Sequence, residues 1–281
     1  MSWVKEDVSF FQLFCIKVVK TGRVPQHIAF IMDGNRRFAK KHNENTFTGH
    51  SKGFDQLSYT LKWCLDLGIP EVTVYAFSIE NFKRSEEEVC SLMELAREKF
   101  QKLLEEITTI NEWGVRIHVA GRLTLLPEDL RKLVSKAMLA TRHNNKLRLN
   151  IAYAYTGRDE ISRAASHIVN GIKSNELLPA DIDEDLITQS LELNEPELLV
   201  RTSGEVRLSD FMLWQVSNSV LYFTNVLWPE FTIWNLLAAI IHFQRHAPTT
   251  KSKCQITDSK QTFLDDIENR RWQEMERFLN C

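Results

Sequence analysis

Ile28-Ala29-Phe30-Ile31-Met32 is an unbroken apolar run, and it constrains the fold more than any other stretch. A strand with one wet face alternates polar and apolar residues, so a run without alternation must be covered on both faces. Further strand-like stretches follow at Val72–Ala76, Val115–Ala120, Leu147–Tyr155, Leu198–Val200 and Val220–Phe223. Helical patterns separate them. Lys52–Leu67 carries Phe54, Leu57, Leu61, Cys64 and Leu65 at three-to-four spacing. Ser85-x-x-Glu88 is a capping box that opens a long helix to about Trp113. Glu128–Arg142, Gly157–Ile172 and Ile233–His246 complete the set. Alternating strands and helices predict an α/β fold: a central, mostly parallel sheet flanked by helices.

The remainder punctuates this core. His42–Phe47 reads as a polar loop and Pro179–Asp185 as an acidic one. Residues 3–20 pattern as an amphipathic helix carrying Trp3, Phe10, Phe11 and Phe14, fit to lie on a membrane surface or to cap the core or a partner. Pro248–Lys260 is a polar linker and Gln261–Asn280 a charged final helix, in which Asp265-Asp266-x-x-Asn269 reads as a solvated face. The expected divisions are 1–22, 23–247 and 248–281.

Ligands of parallel sheets sit outside the carboxyl ends of the strands. Polar clusters follow the strand ends at Asp33, Ser78 and Arg201, so one shared site is expected. In the first cluster, Asp33-Gly34-Asn35 turns into a basic helix start with Arg36 and Arg37. Gly34 permits close backbone approach, and the arginines are forked donors to phosphate oxygens. Asp33 repels phosphate directly and makes sense as the ligand of a Mg²⁺ that bridges it to a diphosphate. The third cluster, RTSGEVRLSDF, sets Arg201 and Arg207 either side of Ser203-Gly204 with Ser209 just beyond, a grip for a second diphosphate.

Several classes are excluded. A net charge of −2 lacks the basic footprint of a nucleic-acid binder. No apolar run reaches the roughly 18 to 20 residues of a membrane span, and Leu236–Phe243 reads as a core helix. No secretory signal is expected, and five scattered cysteines without C-x-x-C point to a reducing compartment. Walker, G-x-G-x-x-G and Ser/His/Asp patterns are absent.

HIAFIMDGNRRFAKK, GHSKGF, YAFSIENFKRS, RTSGEVRLSDFMLWQ and LWPEF, in that order, resemble the cis-prenyltransferases (undecaprenyl diphosphate synthase-like), nearest their eukaryotic catalytic-subunit branch. The resemblance covers residues 20 to 246. It implies repeated addition of isopentenyl diphosphate to farnesyl diphosphate with Mg²⁺. The implied product is a long polyprenyl diphosphate for dolichol synthesis and protein glycosylation. By the same resemblance, Asp33 holds Mg²⁺ and the allylic diphosphate, with Gly34, Arg36, Arg37 and His50 around those phosphates. Asn35 stands near the proton lost from isopentenyl diphosphate, and Ser78, Asn81 and Arg84 line the catalytic centre. Arg201, Arg207 and Ser209 hold isopentenyl diphosphate. Phe38, Phe77 and the apolar face of the Ser85–Trp113 helix are expected to wall the product tunnel.

The chain departs from single-subunit members of the family. It has Val206 and Val220 where they carry metal-site histidine and glutamate, Thr46 where many have a phosphate-binding arginine, and no Arg-x-Gly ending. The resemblance therefore implies a Nogo-B-receptor-like partner that supplies that motif, and a peripheral place on the cytoplasmic face of the endoplasmic reticulum membrane. The alternatives are a self-sufficient homodimer and a non-catalytic scaffold subunit. A trans-prenyl synthase would need an all-helical fold.

Overall fold

A computed structural model describes residues 9–248 and 258–280. In chain order the elements are α1 (Phe10–Val19), β1 (His27–Ile31), α2 (Asn35–Lys41), α3 (Thr46–Leu67), β2 (Glu71–Ser78), α4 (Glu86–Glu105), α5 (Ile107–Glu112) and β3 (Val115–Ala120). After these come α6 (Glu128–Ala140), β4 (Leu147–Tyr155), α7 (Gly157–Lys173), α8 (Glu184–Ser190), β5 (Leu198–Arg201), β6 (Val220–Phe223), α9 (Ile233–His246) and α10 (Asp258–Asn280).

The strands form one sheet of order β3-β4-β2-β1-β5-β6, and every pairing is parallel. All five residues of β1 are buried, as the unbroken apolar run requires. Side chains alternate across a strand. Ile28 and Phe30 therefore enter one core with Trp228 and Phe231, while Ala29 and Ile31 enter another with Leu199, Phe211 and Met212.

Four boundaries differ from the sequence reading, three of them for a stated local reason. Helix α3 starts at Thr46, inside the expected loop, because the Asn45 side chain caps it by accepting the Thr48 N–H at 2.7 Å. The long helix expected to run to Trp113 breaks at Glu106, just before Ile107-Thr108-Thr109-Ile110, a β-branched run that crowds a helix. Acidic residues expected as loop form α8, capped by Asp183 through the Leu186 N–H. Asp258–Lys260, expected as linker, already belong to the last helix.

Both terminal helices pack on the fold. On α1, Ile16 is buried while Phe10, Phe11 and Phe14 face outward, and Phe11 meets the Trp234 ring of α9 at 5.8 Å. Trp3 and the other residues before 9 lie outside the described residues, as do 249–257 of the expected linker. On α10, Phe263 and Ile267 pack with Ile168, Leu177 and Leu186, and Met275 enters the main core. Asp265 of the same helix is exposed, as expected.

Candidate active site

The sheet register creates the centre of the site. Ile31 of β1 pairs with Arg201 of β5, so Asp33, two residues beyond Ile31, emerges beside the Arg201 guanidinium. Arg201 Nη2 donates to Asp33 Oδ2 at 2.9 Å, and Nη1 donates to Ser209 Oγ at 2.8 Å and to the Arg207 carbonyl. Arg201 is buried. Burial by itself pushes the Asp33 carboxyl up, but the Arg201 hydrogen bond and charge and the Gly34 N–H outweigh it and hold the pKa below the ordinary value. Asp33 is thus an anion at neutral pH.

The two loops are stitched together by Thr202. Its hydroxyl accepts the Asp33 N–H at 3.0 Å and donates to the Asp33 carbonyl at 2.7 Å. Gly34 follows with φ +111°, a conformation that few side chains tolerate. In the second loop Ser203, Ser209, Asp210 and Met212 all have positive φ, which concentrates backbone strain around Arg201. Trp228, in the LWPEF stretch, donates its backbone N–H to the Asp33 carbonyl and its indole N–H to the Gly53 carbonyl. It pins β1's end to α3.

Gly49 and Gly53 let α3 lie against Asn35. A Cβ on Gly53 would stand 2.4 Å from Asn35 Oδ1, and one on Gly49 2.4 Å from the Asn35 carbonyl oxygen. Asn35 Nδ2 then reaches His50 Nδ1 at 3.4 Å. An Nδ1 that accepts leaves the hydrogen on Nε2, which is buried and has no partner within the protein. Burial first, then the Arg84 charge, push the His50 pKa down to about 4. His50 is therefore a neutral hydrogen-bond donor.

Ser78 and Asn81 form a reciprocal cap: Asn81 Oδ1 accepts the Ser78 N–H at 3.0 Å, and Ser78 Oγ accepts the Glu80 N–H. Arg84 pairs with Glu88 at 2.7 Å, and Arg36 approaches the same carboxylate at 3.8 Å. Arg207 pairs with Glu205, and Arg37 approaches Glu205 at 3.8 Å. Arg36, Arg37 and Arg207 are exposed, and ion pairs of that kind are worth about 0–1 kcal/mol. A diphosphate can displace their carboxylates.

All the site residues expected from the sequence line one cavity of about 640 Å³: Asp33, Gly34, Asn35, Arg36, Arg37, His50, Ser78, Asn81, Arg84, Arg201, Arg207 and Ser209. Tyr75, Arg158 and Asp210 line it too and were not expected. Arg158 donates to Asp210 through its backbone N–H at 3.0 Å and through Nε at 2.8 Å. Arg158 follows the end of β4, so the strand-end rule applied to Thr156-Gly157-Arg158 would have found it.

A second, apolar cavity of about 120 Å³ opens from the first; Met32, Asn35, His50, Ala76, Phe77 and Leu92 line both. Phe77 and the Leu92, Leu95 and Ala96 face of α4 form its wall, as expected. Phe38 does not. It packs on His42 at 4.3 Å and under the Lys52 ammonium.

Thr46 begins α3 one turn before His50, in a recess that also contains Glu88. Val206 is exposed in the second loop. Val220 sits at the amino end of β6, paired with Leu198, so it is at the opposite end of the strand from the cavity. Among the described residues no cluster of three His, Cys, Asp or Glu side chains could hold a metal by itself. Asp33 nonetheless suits Mg²⁺, which is usually held by one or two carboxylates together with substrate phosphates. It is ionised, and its side chain is 35% exposed toward the cavity.

The family described as "Putative undecaprenyl diphosphate synthase" matches residues 31–250. The chain is 53% identical over 258 residues to "Dehydrodolichyl diphosphate synthase complex subunit DHDDS" of Homo sapiens, across 90% of this chain and 78% of that one. It is 43% identical to the "Tritrans,polycis-undecaprenyl-diphosphate synthase (geranylgeranyl-diphosphate specific)" of Thermococcus kodakarensis, across 84% and 90% of the two chains. Among solved structures, lavandulyl diphosphate synthase from Lavandula x intermedia, in complex with dimethylallyl diphosphate, superposes with a TM-score of 0.75. That match has 33% identity and covers 80% of this chain and 98% of the other.

Proposed function

This chain belongs to the cis-prenyltransferase family, and on that premise we propose that it is the catalytic subunit of a dehydrodolichyl diphosphate synthase. It adds isopentenyl diphosphate repeatedly to farnesyl diphosphate. The observation that carries this reading is the junction of the two cavities at Asn35 and His50. An arginine-lined polar chamber that opens into an apolar one matches a diphosphate head joined to a hydrocarbon tail.

In this reading the allylic diphosphate lies over Gly34, Arg36, Arg37 and Arg84, with the tail past Phe77 and Leu92. The diphosphate of isopentenyl diphosphate lies between Arg207 and Ser209, with Arg201 behind. Bound Mg²⁺ neutralises diphosphate charge, and Asp33 is the residue that would hold it. The arginines stabilise the negative charge that grows as the allylic C–O bond breaks. The terminal alkene carbon of isopentenyl diphosphate forms the new C–C bond to the allylic carbon. The cation left on the methyl-bearing carbon then loses a proton from the neighbouring CH2 on the diphosphate side, near Asn35, to an oxygen of the released diphosphate, forming the new double bond. Neutral His50 donates a hydrogen bond there, and Phe77 and Leu92 keep water from the allylic cation.

The human relative is by name a complex subunit, which supports a heteromer, with a Nogo-B-receptor-like partner as the companion subunit. Among the described residues no helix is long and apolar enough to cross a membrane. The outward Phe10, Phe11 and Phe14 of α1 suit a peripheral place on the endoplasmic reticulum membrane. The test is incorporation of radiolabelled isopentenyl diphosphate into farnesyl diphosphate with Mg²⁺, with and without the partner. No incorporation in either preparation would overturn the reading.

A further inference from the structure

We infer that Asp210 caps helix α7 from the second loop, and that this cap holds Ser209 in place to receive isopentenyl diphosphate. Asp210 is then a positioning residue for that substrate. The inference rests on the functional reading above. The first N–H groups of a helix have no acceptor inside it. Thr156, at the N-cap of α7, gives them no side-chain acceptor. Asp210 gives them two from 52 residues along the chain. Its carbonyl accepts the Gly157 N–H at 2.6 Å, and its Oδ1 accepts the Arg158 N–H at 3.0 Å. Oδ2 then accepts Arg158 Nε at 2.8 Å. The carboxylate also stands where the dipole of a helix 17 residues long favours negative charge.

The cap matters because the loop it holds is strained. Ser209, Asp210 and Met212 have φ of +51°, +59° and +48°, left-handed values that such residues keep only where their surroundings enforce them. Beyond Asp210 the loop is anchored by Phe211 and Met212, both fully buried, with Phe211 stacked on the Tyr75 ring at 4.6 Å. Before it, Ser209 takes a hydrogen bond on its hydroxyl from Arg201 at 2.8 Å and one on its carbonyl from the Tyr75 hydroxyl at 3.3 Å. Asp210 is the fixed point between that buried anchor and the phosphate-facing residue.

Gly157 allows the close approach. A Cβ there would stand 3.0 Å from the Leu213 nitrogen and 3.3 Å from the Asp210 carbonyl oxygen. The Arg158 side chain is 75% exposed, and the cap uses its backbone N–H, which any residue except proline supplies. Loss of the Asp210 carboxylate therefore frees the strained backbone to relax and turn Ser209 from the chamber. Gly34, Arg36 and Arg37 belong to the other loop, so the allylic position should be spared.

The test is steady-state kinetics of the active preparation with Mg²⁺, each substrate varied in turn, with a melting curve for every variant. Asp210→Ala is expected to raise KM for isopentenyl diphosphate about ten-fold, the effect of one lost charge-assisted bond. KM for farnesyl diphosphate should change by less than about two-fold, because ground-state binding of that substrate is untouched. Asp210→Asn, whose amide oxygen caps a helix as well as a carboxylate does, should recover most of the parent KM. If Asp210→Ala shows no folding transition, Gly157→Ala, which presses on the Asp210 carbonyl, decides by the same split between the two substrates. An unchanged KM, an equal rise for both substrates, or no recovery in Asp210→Asn overturns the cap and leaves the functional reading standing. A larger rise for Arg158→Ala than for Asp210→Ala would make the guanidinium a phosphate ligand and overturn the cap as well. If the parent preparation incorporates no isopentenyl diphosphate, the functional reading falls and this inference falls with it.

Discussion

Arg201 Nη2 stands 2.9 Å from Asp33 Oδ2 across 168 residues of chain. The cation of the second phosphate cluster is therefore the direct counter-ion of the first cluster's carboxylate. Arg201 also braces Ser209 at 2.8 Å. In the proposed reading it couples the two substrate positions, so its loss should disturb both, whereas exposed Arg36 and Arg207 are each proposed to serve one.

Asp33→Ala is expected to lower kcat by at least about 100-fold, because it removes the carboxylate proposed for Mg²⁺ and a fixed charge at the reacting centre. The fold should survive, since Arg201 keeps Ser209 and the Arg207 carbonyl. A melting curve and a single-turnover assay at saturating Mg²⁺ test this. Near-parent turnover would remove Asp33 from the metal role. The folded-state pKa of Asp33 is lowered, so its stabilising contribution is present above the unfolded value of about 4 and is lost as pH falls through the folded value.

Arg36→Ala should chiefly raise KM for the allylic substrate, and Arg207→Ala chiefly KM for isopentenyl diphosphate. Each loses one charge-assisted contact worth about 1.5–3 kcal/mol, roughly ten-fold or more in KM. Initial rates with each substrate varied in turn separate the two. A rise in the same KM for both variants would refute the division of the chamber.

His50 is held neutral by its pKa of about 4, so the pH–rate profile should show no His50 limb between about 5 and 8. The sign for stability follows. The unfolded side chain titrates near 6.5 and binds more protons than the folded one between the two values, so stability should fall with pH from about 6.5 toward 4. His50→Gln, which retains a donor, should keep more activity than His50→Ala. A limb near 6.5 that both variants abolish would contradict the neutral-donor role.

Gly53→Ala tests the packing behind Asn35, because its Cβ would meet Asn35 Oδ1 at 2.4 Å. Displacement of the Asn35 amide by about 1 Å should cost about 100-fold in kcat, and overpacking about 1–3 kcal/mol in stability. Unaltered kcat with lowered Tm would make Gly53 a packing residue alone.

The chain without a partner is expected to be nearly inactive, and a Nogo-B-receptor-like subunit to raise its activity by about 100-fold or more through added phosphate donors. We expect the partner to seat on the exposed part of α9, where Trp234 is 45% exposed, so Trp234→Asp should weaken association. Partner truncated before its Arg-x-Gly should bind without activating. Equal activation by the truncated form would refute the proposed role of that motif.

The strands, the parallel sheet and the polar clusters at its carboxyl ends were legible in the sequence, because each follows from local pattern. An unbroken apolar run such as Ile28–Met32 must be buried on both faces, and a parallel sheet places every strand end on one side. Helix ends were less legible where a single cap decided them, as at Asn45 and Asp183. What only the tertiary structure decided is which distant residues meet. The pairing of Ile31 with Arg201 makes an expected phosphate ligand the counter-ion of Asp33 as well. Packing of α3 onto Asn35 gives His50 its tautomer, and the meeting of α3 with α4 lines an apolar cavity beside it. Phe38, apolar and next to the arginines, was expected in the tunnel wall, but the helix phase of α2 turns it toward His42 instead. Contacts of that kind depend on register and helix rotation, which are set by the summed packing of the whole sheet rather than by neighbours in the chain.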